Sequence, residues 1–418
     1  MARVRTLALV LAGGQGSRMD VLTRERAKPA LPLAGSFQLI DVAMSNLHHS
    51  GIDDVWLAVQ YQARSLDDSV GNGRPWDLDR TRGGFRLLPP QEGDSAVEDG
   101  FATGNADQLF RLRSEITAHG AEEVIVLSAD HVYLTDYADA LATHRRKGAG
   151  CTIVTYDLGA DLGIEEASNH ATVESNRLGR VTDFAYKPER PSTGVVATEV
   201  FVYDTQVLVD TLGDLHRELD GRQEDEDDSG LGDFGEHLVP RLVEQGRAYE
   251  HRIGGYWRDL GRPSTYLTSH RDLARDDHGV LNRTDWPLLT RQIPAAPARL
   301  SGGARVDESL ISGGCQVDGE VRGSVLGPRV RVAAGASVRD SVIFADCEIG
   351  PDAVVEATIM DTGVRVGEHA RIGGEPSRPD SPDDDEITLV GADTTVPAGA
   401  EVEAGARLEP GTSRVGGE

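Results

Sequence analysis

Beyond about residue 300 the chain loses every helical period and repeats aliphatic residues at each sixth position. Val390, Val396, Val402 and Leu408 fall on one register, and Val354, Met360, Val366 and Ile372 on another, with glycine and alanine at many of the corners. One short strand per hexapeptide, three to a coil, is the pattern of a left-handed parallel β-helix of hexapeptide repeats. A β-sandwich with evenly spaced turns is the competing fold, and strict sixfold spacing with small residues beside the aliphatic one favours the helix. Each coil stacks on its neighbour, so the end coils need covering or pairing, which predicts oligomerisation through this half.

The preceding residues follow a different rule. Thr6 to Leu11, Asp54 to Val59, Glu123 to Leu127 and Cys151 to Thr155 are nearly continuous aliphatic or β-branched runs, suited to strands covered on both faces. Amphipathic stretches lie between them: Phe37 to Ser50, ending at Gly51, and Ala106 to His119, ending at Gly120, each with glycine where a left-handed cap is cheap. This alternation predicts an α/β domain with a Rossmann-like, mostly parallel sheet, helices on both sides and ligands at the carboxyl ends of the strands. A chain of 418 residues exceeds what one core usually organises. The expected division is a first domain over 1–275, a linker over 276–300 containing the proline-rich crossover Trp286 to Ala298, and the β-helix over 301–418. Two acidic stretches, Glu218 to Asp233 and Gly373 to Glu386, read as solvated loops.

A formal net charge of −27 argues against nucleic-acid and anionic-membrane surfaces, which would repel the chain. Cys151, Cys315 and Cys347 are scattered without metal-ligand spacing and imply reduced thiols in a cytoplasmic setting. The apolar run near the N-terminus ends in a glycine turn instead of a small-residue cleavage site, so it reads as a core strand, and no apolar stretch is long enough to cross a bilayer.

The segment LAGGQGSRMDVLTRERAKPALPLAG, Leu11 to Gly35, stands directly behind that first strand. Gly13, Gly14 and Gly16 lack side chains that would keep an anion from the backbone amides. Arg18 adds a fork for phosphoryl oxygens and Lys28 a point charge, a pair suited to neutralising a displaced pyrophosphate. A glycine-rich turn alone is a weak signal, and the two cations with the KPALPLAG ending sharpen it. Asp130 in VIVLSADHVY is placed at the tip of a buried strand, where a magnesium ion (Mg2+) bridging a triphosphate would be held. Asp259 in YWRDLG is the candidate second ligand, and His131 reads as structural. Lys187 in FAYKPERP precedes a proline that biases its backbone toward an extended form, and its ammonium suits the monophosphate of a second substrate. Gln91 in LLPPQ offers an amide to a base edge, and Gly104 opens a helix in the box GNAD, Gly104 to Asp107.

The order LAGGQGSR, RAKPALPLAG, FQLIDVAMSN, LLPPQ, GNAD, SADHVY, YKP, DFGEHLVP and YWRDLG, with the hexapeptide tail, resembles the bacterial glucose-1-phosphate adenylyltransferase family over nearly the whole chain. The resemblance implies a magnesium-dependent nucleotidyltransferase joining ATP and glucose 1-phosphate into ADP-glucose and pyrophosphate, for glycogen or a related α-glucan, and a homotetramer. By that likeness Leu11, Ala12, Gly13, Gly14, Gly16, Arg18 and Lys28 would hold the nucleotide, with Gln91 and Gly104 on the adenine side. Asp130 and Asp259 would hold the metal, Lys187, Glu199 and Asp259 would face the sugar phosphate, and Arg18, Lys28 and Asp130 would carry the reaction. Three segments depart from the family pattern on the sugar side: Tyr186 stands where a glutamate is usual, His170 and Ala171 occupy an expected Phe-Gly-Val segment, and Ala197 and Glu199 replace a serine and a glycine. Ser36 stands where the family carries a lysine or arginine used in activation by anionic sugar phosphates. The alternatives are the same reaction with another sugar or nucleotide, and a noncatalytic regulatory subunit. A hexapeptide acyltransferase fits least, since His369 is the only histidine in the repeats.

Overall fold

The strand Thr6–Ala12 is almost entirely aliphatic, and Leu7 to Val10 are fully buried. It lies parallel between Asp54–Val59 and Glu123–Ser128, with Val10 opposite both Leu57 and Leu127. The computed structural model describes residues 4–14, 16–90, 102–160, 162–219, 229–276 and 278–413. Gly84–Leu88 extends the parallel set beside Asp54–Val59. On the other side the long strand Val195–Asp204 runs antiparallel to Glu123–Ser128 and to Cys151–Asp157, making the nine-stranded sheet mixed around a parallel centre. Periodicity reports burial of a strand and is silent on its direction, so this reversal was not visible in the sequence.

Helices cover both faces. Leu39–His49 opens with a capping box in which the Gln38 amide donates to Asp41 Oδ2 at 2.8 Å, and Gly51 follows it in the left-handed region at φ 68°. The single helix predicted over Ala106 to His119 is two, Asn105–Arg111 and Arg113–His119, meeting at Leu112 (φ −88°, ψ 0°) and stopping at Gly120. The linker is no free tether. Trp286 Nε1 donates to Asn46 Oδ1 at 2.9 Å and the Leu289 amide to Ser45 Oγ at 2.9 Å, so the crossover lies along helix Leu39–His49.

From Arg299 onward the chain winds into three six-stranded parallel sheets, the faces of a left-handed β-helix. Its core stacks Leu326, Ile343, Met360 and Val390 in one sheet and Val332, Ile349, Val366 and Val396 in another. The predicted register needs one correction. Val355, not Val354, points inward, stacked between Val338 and Ile372. Each of these inner coils advances seventeen positions, as from Val338 to Val355, so one of its three sides is a residue short of six. Strict counting in sixes slips the register there, and in a strand a one-residue slip exchanges inside for outside.

The acidic stretch Gly373 to Glu386 interrupts one coil. It is mostly exposed, as expected, yet it is tied down: Asp384 Oδ1 accepts from the Ser264 amide at 2.8 Å, and the Pro379 carbonyl accepts from Arg271. Of the acidic run Glu218 to Asp233, residues 220–228 lie outside the described residues, while Ser229 and Leu231 are buried.

The sheet whose inner face stacks Leu326, Ile343, Met360 and Val390 turns its other face to the first domain. Val325, Val342, Phe344, Ile359 and Leu389 share one buried cluster with Met19, Leu22, Leu31, Leu33 and Tyr266. All three cysteines are buried and unpaired. Replacing inward Val355 by aspartate should abolish soluble folding, whereas Val354→Asp on the outer surface should melt near the parent temperature. Thermal denaturation of the two purified variants checks the register.

Candidate active site

Strands Thr6–Ala12 and Glu123–Ser128 run parallel and end side by side, so the loops that follow them share one edge of the sheet. The first loop carries Arg18 and Lys28, the second Asp130. Lys28 Nζ donates to Asp130 Oδ2 and lies 3.9 Å from Asp259 Oδ1. The two acids, far apart in sequence, meet through a small antiparallel ribbon in which His131–Tyr133 pairs with Trp257–Asp259, setting Asp259 opposite His131. That ribbon is too short to announce itself by alternation.

Opposite charges in the cluster favour one another's ionised forms. Burial would lower the Lys28 pKa, but Asp130 and Asp259 together raise it above the ordinary lysine value. Burial would raise Asp130, yet Lys28, His131 and the Ser128 hydroxyl hold it well below the usual carboxylate range. His131 is buried, gives its Nδ1 to the Thr198 carbonyl at 3.0 Å, and turns Nε2 toward Asp130 and Asp259 at 3.6 Å from each. Against the effect of burial, those two carboxylates raise its pKa.

Glu199 enters from the long antiparallel strand, at a bulge where pairing shifts between Ala197 and Val200. Its backbone is left-handed, φ 57°, which costs about 1 kcal/mol or more for a non-glycine residue and turns the side chain into the cleft. Loss of water around its carboxyl, with Asp130 and Asp259 near, raises its pKa against the pull of His131, although the residue as a whole is exposed. Ligand atoms of Asp130, His131 and Glu199 lie within 4.8 Å of one another; Asp259, the predicted partner of Asp130, is not in that group, and its Oδ1 faces His131 Nε2 at 3.6 Å instead.

The glycines divide by role. Leu11 and Ala12 are buried in the strand end. A Cβ on Gly13 would stand 2.7 Å from Gln60 Nε2 and 2.8 Å from Gln108 Oε1, so two side-chain amides already crowd this position. Gly14 has nothing within 4 Å of a Cβ and is open to solvent. Gly16 is left-handed at φ 68°, and its carbonyl accepts from Thr23 Oγ1 at 3.0 Å. Gly104 opens helix Asn105–Arg111, but a Cβ there would lie 2.3 Å from the Gly232 backbone. Packing against that loop is reason enough for glycine at 104, apart from any ligand. Gln91 lies outside the described residues.

Across the cleft is a cavity of about 110 Å³, lined by Arg18, Asn105, Asp259, Lys187 and every one of the departing residues His170, Ala171, Tyr186, Ala197 and Glu199. Lys187 is not extended as its following proline suggests. It ends strand Val181–Tyr186 with φ 44°, and Nζ sits 4.8 Å from the Tyr186 ring centre. The chain bends here as it leaves the strand, and the bend overrides the local bias. Burial pushes the His170 pKa down to about 4, so this imidazole is neutral near pH 7.

Sequence reasoning gave no role to Asp233 of the DFG motif. Its Oδ2 accepts from the Tyr186 hydroxyl at 2.8 Å and its Oδ1 from the Asn105 amide at 3.2 Å, while the Tyr186 ring occupies the space a Cβ on Gly235 would need. Asp107, fully buried, accepts from Arg111 Nε at 3.0 Å and from Ser229 Oγ at 2.5 Å, pinning the same loop to the GNAD helix. The signal was the motif itself, two glycines flanking an acid.

A doubly covered α/β sheet with a cation-rich glycine loop and paired carboxylates at its parallel edge, joined to a β-helix, defines a nucleotidyl transferase. The nucleotidyl transferase family model matches residues 7–276, and a model described as GlmU-like, C-terminal hexapeptide matches residues 297–385. Curated relatives named glucose-1-phosphate adenylyltransferase include one from Thermomicrobium roseum, 37% identical over 94% of this chain and 90% of that protein. Others come from Acetivibrio thermocellus, 32% identical over 98% of this chain and 94% of that one, and Bacillus cytotoxicus, 33% identical over 92% and 97%. The chain belongs to the glucose-1-phosphate adenylyltransferase family.

The glycine geometry separates packing from ligand contact. Gly104→Ala should lower the melting temperature, by overpacking worth about 1–3 kcal/mol, while Gly14→Ala should leave it unchanged. Differential scanning calorimetry of the unliganded variants reads both.

Proposed function

We infer that this chain transfers the adenylyl group of ATP to glucose 1-phosphate, releasing pyrophosphate and ADP-glucose, the glucosyl donor for glycogen or a related α-glucan. The observation that carries the reading is Lys28 set against Asp130 and Asp259 at the parallel edge, with Lys187 and Arg18 lining the cavity across the cleft. That arrangement offers cations to two phosphate-bearing substrates from opposite sides. A sugar-phosphate oxygen attacks the α-phosphorus of ATP, the bond from that phosphorus to the pyrophosphate oxygen breaks, and no proton need move. The demand on the protein is positioning and charge neutralisation.

In this reading Lys28 neutralises the leaving pyrophosphate from its side of the cleft and Arg18 from the cavity wall it shares with Lys187, and the amides at Gly13, Gly14 and Gly16 approach the triphosphate. Leu11 and Ala12 border the base side, with Gln91 and Gly104. Lys187 holds the sugar phosphate, with Glu199 and Asp259 near the hydroxyls. The donor set is all oxygen apart from His131, which suits Mg2+ on Asp130 with Asp259 or Glu199. When bound, the ion would polarise phosphoryl oxygens and hold substrates in line. Lys28 sits among those carboxylates and offsets their mutual repulsion.

A second reading keeps the chemistry and changes the sugar. It is favoured by the gathering of Tyr186, His170 and Glu199 in one cavity, since a neutral imidazole and a phenol already bonded to Asp233 present different volume and hydrogen bonding from smaller or acidic groups. Ser36 Oγ pairs with Ser312 Oγ at 3.2 Å across the domain seam, a neutral contact that supports the absence of activation by anionic sugar phosphates at this point. The first β-helix coil leaves Leu300 and Val306 exposed, which supports assembly of copies, as a tetramer, through this domain. Buried, unpaired thiols fit a cytoplasmic enzyme.

Purified protein with ATP, glucose 1-phosphate and magnesium should release pyrophosphate, and no release with any of a panel of sugar 1-phosphates and nucleoside triphosphates defeats the reading in favour of a regulatory subunit. Asp130→Asn should reduce turnover by roughly a hundredfold or more, as for loss of charge stabilisation at a reacting centre. Lys187→Ala should raise the KM for the sugar phosphate and leave that for ATP, and the reverse pattern would reassign it.

A further inference from the structure

The segment from Gly16 to Gly35, which bears Arg18 and Lys28, is held by the other domain at several points. Arg407 Nε faces Asp20 Oδ2 at 3.6 Å, Glu409 Oε1 meets Arg24 Nη2 at 3.2 Å, and Asp361 Oδ1 accepts from Arg26 Nη2 at 2.6 Å. The Arg24 pair is exposed on both sides and contributes little. The Arg26 pair is different in kind. Its carboxylate is 3% exposed and its guanidinium side chain 19%.

Asp361 follows directly on strand Thr358–Met360 and is fixed by the stack of coils: its amide donates to the Val390 carbonyl at 2.8 Å, and its Oδ1 accepts from the Thr362 amide at 2.6 Å. Arg26 passes over Phe344, 5.6 Å from the ring centre, to reach it. Desolvating both charges offsets most of their attraction, so an apolar pair of similar volume would join the domains equally well. What the pair adds is direction. A rigid guanidinium donating through Nη2 to an immobile carboxylate sets the course of the backbone two residues before Lys28. The same stretch is held from the opposite side by the Ala27 amide, which donates to Ser65 Oγ at 2.9 Å, and the turn at Lys28 closes through the Leu31 amide at 3.0 Å. Lys28 is thereby clamped between the first domain and the β-helix.

We propose that Asp361 of the β-helix is a positioning residue for the transfer reaction, acting through Arg26 to place Lys28 against Asp130 and Asp259. The proposal rests on the reaction inferred above for its kinetic readout. The β-helix is then part of the machinery that aligns the triphosphate, beyond any role in assembly.

Single substitutions leave a buried charge unpaired and endanger folding, so the decisive variant of the full chain is the apolar pair Arg26→Met with Asp361→Leu. It should melt with the parent protein yet lose roughly 10- to 100-fold in kcat, the scale of a misplaced catalytic group, with the KM for the sugar phosphate unchanged. Arg26→Lys, which keeps the charge without the fork, should fall between the two. Parental kcat in the apolar pair overturns the proposal. So does a rate that falls only in step with melting and recovers at a lower assay temperature where the fold is intact. If the parent protein itself releases no pyrophosphate, the inferred reaction fails and not this coupling. Magnesium-ATP binding by calorimetry then takes over as the readout, with weaker binding by the apolar pair expected and equal affinity overturning the proposal.

Discussion

An ammonium held against two carboxylates at the edge of a parallel sheet is the interaction around which this molecule is arranged. Lys28, Asp130 and Asp259 come from three distant stretches of chain, and the fold sets the ammonium beside both carboxylates. Two like charges in one cleft repel, and a single buried cation is costly, so the three are acceptable only as a set. Parallel strands bring two of the carrying loops to one edge, a short ribbon brings the third, and the β-helix bears on the loop that carries the lysine.

That arrangement explains the mixture of rigidity and irregularity around the cleft. The core strands are fully buried and regular, while Gly16, Lys187 and Glu199 all adopt left-handed backbone. Departures of this sort persist only where the surroundings over-determine them, and here each aims a group at the cleft or turns the chain beside it. The wall of the cavity across the cleft is built the same way. Tyr186 is held by Asp233, Asp233 by its loop, and that loop by Asp107 of the helix that Gly104 opens. A residue two steps removed from the cavity therefore shapes it.

Much of this was legible in the chain. Strands Asp54–Val59 and Glu123–Ser128 follow from aliphatic continuity, the caps at Gly51 and Gly120 from glycine, and the β-helix from its period. Gly13, Lys28 and Asp130 stand out because each follows a buried strand, where ligand loops belong. Other features were hidden for definite reasons. The direction of Val195–Asp204 leaves no mark on burial. The slip to Val355 comes from one missing residue in a coil, which a count in sixes cannot register. The meeting of His131 and Asp259 depends on a ribbon of three residues on each side, below the length at which alternation means anything.

The sequence by itself determined the two architectures, because periodicity and residue type are local properties. It also singled out Tyr186, His170 and Glu199, which the fold gathers in one cavity. Only the tertiary structure decided which charges meet. The pairing of Lys28 with both acids, the turn of Glu199 into the cleft and the reach of Asp361 from the β-helix to Arg26 are long-range events. They depend on strand order, bulges and domain docking, and these arise from how buried faces fit together rather than from any neighbouring stretch of chain.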